Sequence, residues 1–222
     1  MILEKLHTTH EEPIQYAFAD GTSLNERIGT EILLQYTGNI VCRKCAKSTN
    51  KSFGEGFCYQ CFLSAPEASP CILHPELCEA HLGKGRDLAY EEKNHNQPHY
   101  VYLAATDQVK VGVTRVTQMP TRWIDQGAVQ AMPLFEVSSR QMSGFVETMF
   151  KAHISDKTHW QKMLKSEGVH VDLMSAREQL LNEAKYGLDE LIELHGAANI
   201  RLVELPDPVT IEYPVEQYPT KV

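Results

Sequence analysis

The sequence predicts an α+β chain, on three observations. Two C-x-x-C pairs, Cys42/Cys45 and Cys58/Cys61, stand twelve residues apart beside β-prone segments. After His99 the apolar pattern runs strand, strand, helix, strand, helix. Behind that, a capped helix precedes two further β-prone stretches. The expected organisation is a β-rich metal-binding module over residues 1–98, then a small mixed α/β domain over 99–165 with a three-stranded antiparallel sheet and helices. Residues 166–222 are expected to add an acidic helix and C-terminal strands. At 222 residues and 42% hydrophobic content, the chain is long enough to bury a core.

Within the first 30 residues, Ile14, Tyr16 and Phe18 alternate as a strand, and Asp20-Gly21 marks a turn. Residues 32–36 and 39–41 are β-prone, broken by Gly38. Two C-x-x-C turns then offer four soft donors from two tight loops, and Gly54 and Gly56 allow a return between them. Residues 40–62 therefore read as a zinc-ribbon-like unit with Cys42, Cys45, Cys58 and Cys61 as ligands. A closed four-thiolate set leaves no position open for substrate, so this zinc is expected to be structural. Four thiolates and one dication sum to −2, and Arg43, Lys44, Lys47 and Lys51 offset that charge.

Residues 71–95 suggest a second set. Cys78 and His81 form a C-x-x-H knuckle, and Cys71 and His95 complete four ligands; His74 is the alternative to His81. The expectation is two structural zinc ions per chain. The opening residues lack a basic-then-apolar layout and no run of about 18 apolar residues occurs, so a cytoplasmic protein is expected. In that reducing setting, paired cysteines favour metal over disulfide.

Residues 100–104 and 109–113 read as a hairpin turning at 106–108, and Pro120 opens a short helix through Ile124 that Gly127 ends. Residues 132–137 form a third strand. Ser143 is expected to cap a helix carrying Val146, Met149, Phe150 and Ile154, with a shorter helix over 160–164. Ser175 to Glu178 reads as a capping box opening one helix that Gly196 closes. Residues 200–205 and 209–213 are the last strands.

The net charge of −8 argues against nucleic acid only as an average. From residue 166 onward eleven acidic residues face four basic ones, whereas residues 110–165 carry eight basic and four acidic. A phosphate-facing surface is therefore compatible with the middle of the chain.

Tyr100-Val101-Tyr102 and Lys110-Val111-Gly112 resemble the paired motif strands of GIY-YIG nuclease domains. Arg122 is similar to that family's motif arginine, and Glu147 to its metal-binding glutamate. The resemblance covers roughly residues 100–154. It implies a small mixed sheet, DNA or RNA as partner, Lys110, Arg115 and Arg122 as phosphate contacts, and phosphodiester hydrolysis. Tyr102 would help activate water, Arg122 would stabilise the phosphoryl charge and Glu147 would hold magnesium. Two departures stand against cleavage: Lys110 occupies the position of the family's second tyrosine, and Gln126 that of a histidine or tyrosine. Cleavage, nucleic-acid binding without cleavage and a zinc-stabilised interaction adaptor stay open. The whole chain also resembles an uncharacterised bacterial family that joins a Cys-rich front to this kind of back half, with phrases similar to VKVGVTR, PTRWIDQGA and SDKTHW. Members of that family tend to carry cysteines near Gly85 and His95 and to continue past YPTKV, which implies a trimmed chain here.

Overall fold

In the computed structural model, which describes residues 2–154, 159–165, 167–204 and 206–222, the chain opens with β1 (His7–Thr9) paired antiparallel to β2 (Gln15–Ala17). The alternating stretch through Tyr16 is thus β2, and Gly21, at φ +86°, makes the turn after it. Residues 32–36 form no strand. Leu33 is 87% exposed there, so the β-prone side chains cover no apolar surface and have nothing to gain from pairing. The strand signal that follows is realised as a two-stranded ladder of β3 (Ile40–Val41) and β4 (Ser48–Thr49).

Helix α1 (Tyr59–Ser64) begins within the second cysteine pair, with Cys58 as its cap residue and Cys61 in its first turn. Three prolines, Pro66, Pro70 and Pro75, then each open a single 3-10 turn, because a fixed φ suits a first helical position. Helix α2 (Leu88–Asn94) is capped by Asp87, whose carboxylate accepts the Tyr90 N–H at 2.9 Å.

The main sheet begins with β5 (His99–Ala105) and its hairpin partner β6 (Val109–Arg115). After α3 (Thr121–Asp125), β7 (Gln130–Val137) returns on the other side of β5. The register between β5 and β7 shifts at Val101/Tyr102, opposite Pro133, and proline is tolerated at such an irregularity because it has no ladder N–H to lose. Helix α4 (Arg140–Phe150) starts three residues before the expected cap. Ser139 is the residue whose hydroxyl accepts the Met142 N–H, while Ser143 lies inside and donates to the Arg140 carbonyl at 2.7 Å. Ile154 falls beyond the helix. Helix α5 (Trp160–Met163) matches the short helix expected there.

The expected capping box is Asp172, not Ser175: its carboxylate accepts the Met174 and Ser175 N–H groups and opens α6 (Leu173–Glu183). The chain turns at Ala184, which is 1% exposed, and continues as α7 (Lys185–His195), so one expected helix is two. α6 packs on β5 and β7, whereas α7 packs on α4, and a straight helix could not cover both. The last strands, β8 (Ile200–Leu202) and β9 (Val209–Thr210), both pair with β7. Among the described residues the sheet therefore has five strands rather than three, in the order β6-β5-β7-β8 with β9 also on β7. Leu205, the expected end of a strand, residues 155–158 of the SDKTHW phrase and Ser166 lie outside the described residues.

Strand alternation sends Val101 and Leu103 to one face, where they bury against Val146 and Phe150 of α4 and Leu173 and Leu180 of α6. Tyr102 and Ala104 point to the other face, against Trp123 and Ile124 of α3, Ile14 and Ile211. Strand β6 is left at the edge, and the clefts and clusters below gather around it.

Candidate functional site

Cys42 and Cys45 lie in the turn between β3 and β4, and Cys58 and Cys61 at the start of α1. The first knuckle closes because Cys42 N–H donates to the Lys47 carbonyl and Ala46, at φ +57°, returns its N–H to the Cys42 carbonyl, both at 2.9 Å. All four sulfurs lie within 4.8 Å of one another, Cys45 and Cys58 at 3.9 Å, with no disulfide among them. Tetrahedral zinc at its usual sulfur distance needs sulfurs about 3.8 Å apart. Backbone N–H groups of Cys45 and Cys58 draw the Cys42 thiol down to about 6, while burial and the other thiols push Cys61 up to about 12. This group could hold a metal ion such as zinc.

A second group is built from the proline turns and the end of α2. Sulfurs of Cys71 and Cys78, a carboxylate oxygen of Glu91 and a ring nitrogen of His95 all lie within 4.8 Å of one another. His81 is not among them: it sits exposed on its own 3-10 turn, and His74 is exposed and faces Glu76 at 3.2 Å. Glu91 takes the fourth place because it is one helical turn from His95 on α2. That spacing is present in the sequence, but a search for Cys and His alone passes over it.

Between these groups and the sheet edge lies a cleft of about 680 Å³. Its walls carry Lys110, Arg115 and Arg122, with Arg43 from the four-cysteine module, Arg140 from α4 and Lys151 just past its end. Three carboxylates, Glu55, Glu67 and Glu147, face these six bases. The cleft thus gathers the phosphate-contact candidates and Glu147 of α4. Glu147 is 9% exposed and has Lys151 Nζ 3.4 Å from its carboxylate.

A family model described as "Protein of unknown function (DUF2797)" matches residues 29–222. The chain belongs to the DUF2797 family. No curated protein and no solved structure matches it.

Tyr102 of this DUF2797 chain lies beneath the cleft, fully buried, and its hydroxyl donates to Gln126 Oε1 at 2.6 Å. Burial raises the phenol to about 12, against the pull of the neighbouring Arg122 guanidinium. At neutral pH it is a neutral donor, not a phenolate base. Lys110, on the same strand as Gly112, is 5% exposed. Its pKa is lowered, first by burial and further by Arg122, with Asp107 opposing. Arg115 donates to the Asn94 side chain and so faces α2 as well as the cleft. Arg122 is exposed on α3. Arg140 is the contributor that the sequence does not reveal, because its cleft position follows only from where α4 starts; Gln126, marked in the sequence as a departure, gains a role as the acceptor that orients Tyr102. No helix among the described residues is long and apolar enough to cross a membrane.

Proposed function

We propose that this chain is a zinc-stabilised nucleic-acid-processing protein whose basic cleft grips phosphate. The observation that carries the reading is the convergence of Lys110, Arg115, Arg122 and Arg140 on one concave surface with a single buried carboxylate, Glu147. Guanidinium groups suit phosphate because a planar fork donates to two oxygens at once. Glu147 would hold a magnesium ion, since that ion takes one or two protein carboxylates and fills the rest of its shell with water and substrate oxygens. The four-thiol group would hold a structural zinc that carries Arg43 to the cleft rim. Tyr102 would act through its hydrogen bond to Gln126, orienting the Arg122 side of the cleft.

A second reading, binding without cleavage, has its own support. The hydroxyl expected to activate water is buried and already donated, and Lys110 stands where a second phenol would be. Fluorescently labelled single- and double-stranded DNA and RNA, titrated with protein across a salt series and then incubated with magnesium, separates the readings. Steeply salt-dependent binding with magnesium-dependent cleavage supports the first, and binding with intact substrate supports the second. Affinity that is absent or insensitive to salt refutes both.

A further inference from the structure

We infer that Cys71, Cys78, Glu91 and His95 form a mixed-donor centre for a divalent cation of the zinc class, separate from the four-thiol group. Tetrahedral zinc with sulfur, nitrogen and oxygen ligands requires donor atoms about 3.3 to 3.8 Å apart. Cys71 Sγ and His95 Nδ1 are 3.9 Å apart, and all four donors fall within 4.8 Å of one another. His95 Nδ1 also contacts Glu91 Oε2 directly, closer than two ligands of one ion would stand, so this pair separates as the ion enters between them. Two thiolate donors favour zinc over magnesium or calcium.

Burial gives the second argument. Cys78 is 2% exposed, Glu91 3% and His95 2%. A carboxylate and two thiols enclosed together repel one another when ionised, and a cation among them removes that cost. The surroundings keep Glu91 in place. A Cβ on Gly85 would come within 2.3 Å of Glu91 Cγ and 2.6 Å of its Oε1, so the carboxylate fills the space a side chain at position 85 would need.

The ligand-bearing segments meet at the first residue of α4. Arg140 Nε donates to the Cys71 carbonyl at 2.9 Å, Arg140 Nη2 to the Ile72 carbonyl at 2.8 Å, and the Arg140 backbone N–H to the His95 carbonyl at 2.9 Å. Two thiolates, a carboxylate and a dication leave −1, and the Arg140 guanidinium is the adjacent counter-charge. The centre therefore braces α4 against α2 whether or not the cleft takes nucleic acid.

The test uses the intact zinc-loaded chain. Elemental analysis should give two zinc ions per chain, and X-ray absorption should give an average of three sulfur and one nitrogen or oxygen neighbours per zinc. Glu91→Gln should release one ion to a chromophoric chelator at least ten-fold faster than the parent chain, and His81→Ala should match the parent. One ion per chain with four sulfur neighbours overturns the centre. Loss of an ion from His81→Ala, or unchanged release from Glu91→Gln, overturns this ligand set. The absorption measurement needs no variant and decides whether the centre exists, and His81→Ala still tests the ligand set, even if Glu91→Gln misfolds.

Discussion

The Tyr102 hydroxyl occupies the space that a side chain at position 112 would need. Tyr102 and Gly112 are directly opposed across β5 and β6, and a Cβ on Gly112 would come within 2.6 Å of the phenolic oxygen. The ring lies across the neighbouring strand, and its hydroxyl reaches Gln126 at the C-terminal end of α3.

Gly112→Ala should therefore push the ring out of its slot and cost about 1–3 kcal/mol, the usual penalty of overpacking. Tyr102→Phe should cost about 1 kcal/mol, the worth of one hydrogen bond. Urea denaturation of the two variants checks the order. Equal stability of Gly112→Ala and the parent chain would contradict the close approach.

Stripping metal from the four-thiol group should disorder residues 40–62, because the two-residue strands β3 and β4 bury too little to persist alone. Limited proteolysis with and without chelator should show new cleavage confined at first to that segment. Zinc, not magnesium, should restore protection.

Arg122→Ala should lower affinity for duplex DNA or RNA and reduce the slope of log K against log salt by about 0.9, the value for one lost phosphate contact. Lys185→Ala, on α7 and absent from the cleft wall, should leave the slope unchanged. Anisotropy across a salt series measures both.

Stability should depend on pH through His99, which is fully buried with its Nδ1 2.7 Å from the Gln97 carbonyl. Burial first, and then Arg140, His95 and Arg115, lower its pKa to about 4. An unfolded histidine titrates near 6.5, so between about 6.5 and 4 the unfolded chain binds the extra proton. The contribution is complete above about pH 6.5 and falls by about 3 kcal/mol as pH drops toward 4. His99→Gln should lose that slope in denaturation curves recorded from pH 7 to pH 4.

The two C-x-x-C pairs and the order β5, β6, α3, β7, α4 were legible because they are local: a knuckle needs neighbouring thiols, and a hairpin needs alternation and a turn. Residues 32–36 misled because strand propensity expresses itself only against a partner, and among the described residues no strand pairs with them. Ser143 was a plausible cap, but Ser139 lies outside the helix with its hydroxyl turned back toward Met142, and the sequence around both reads alike. The second cluster was legible in its cysteines and His95, whereas the group within reach of one another takes Glu91 and leaves His81 exposed, since which of several polar side chains faces inward depends on packing over Gly85 and Arg140. Strands β8 and β9 were expected, yet their joining of β7 was not, because pairing across more than sixty residues leaves no local trace.

That long-range pairing bears on how the protein is made. One side of β7 meets β5, and among the described residues its other side pairs with β8 and β9, with the Val203 N–H also donating to the Leu134 carbonyl. While the chain is still emerging from the ribosome, this apolar edge stands bare, a docking rail for any neighbouring nascent strand. Completion of the sheet thus waits on residues 200–210, and translation products that stop short of them would be the ones that clump.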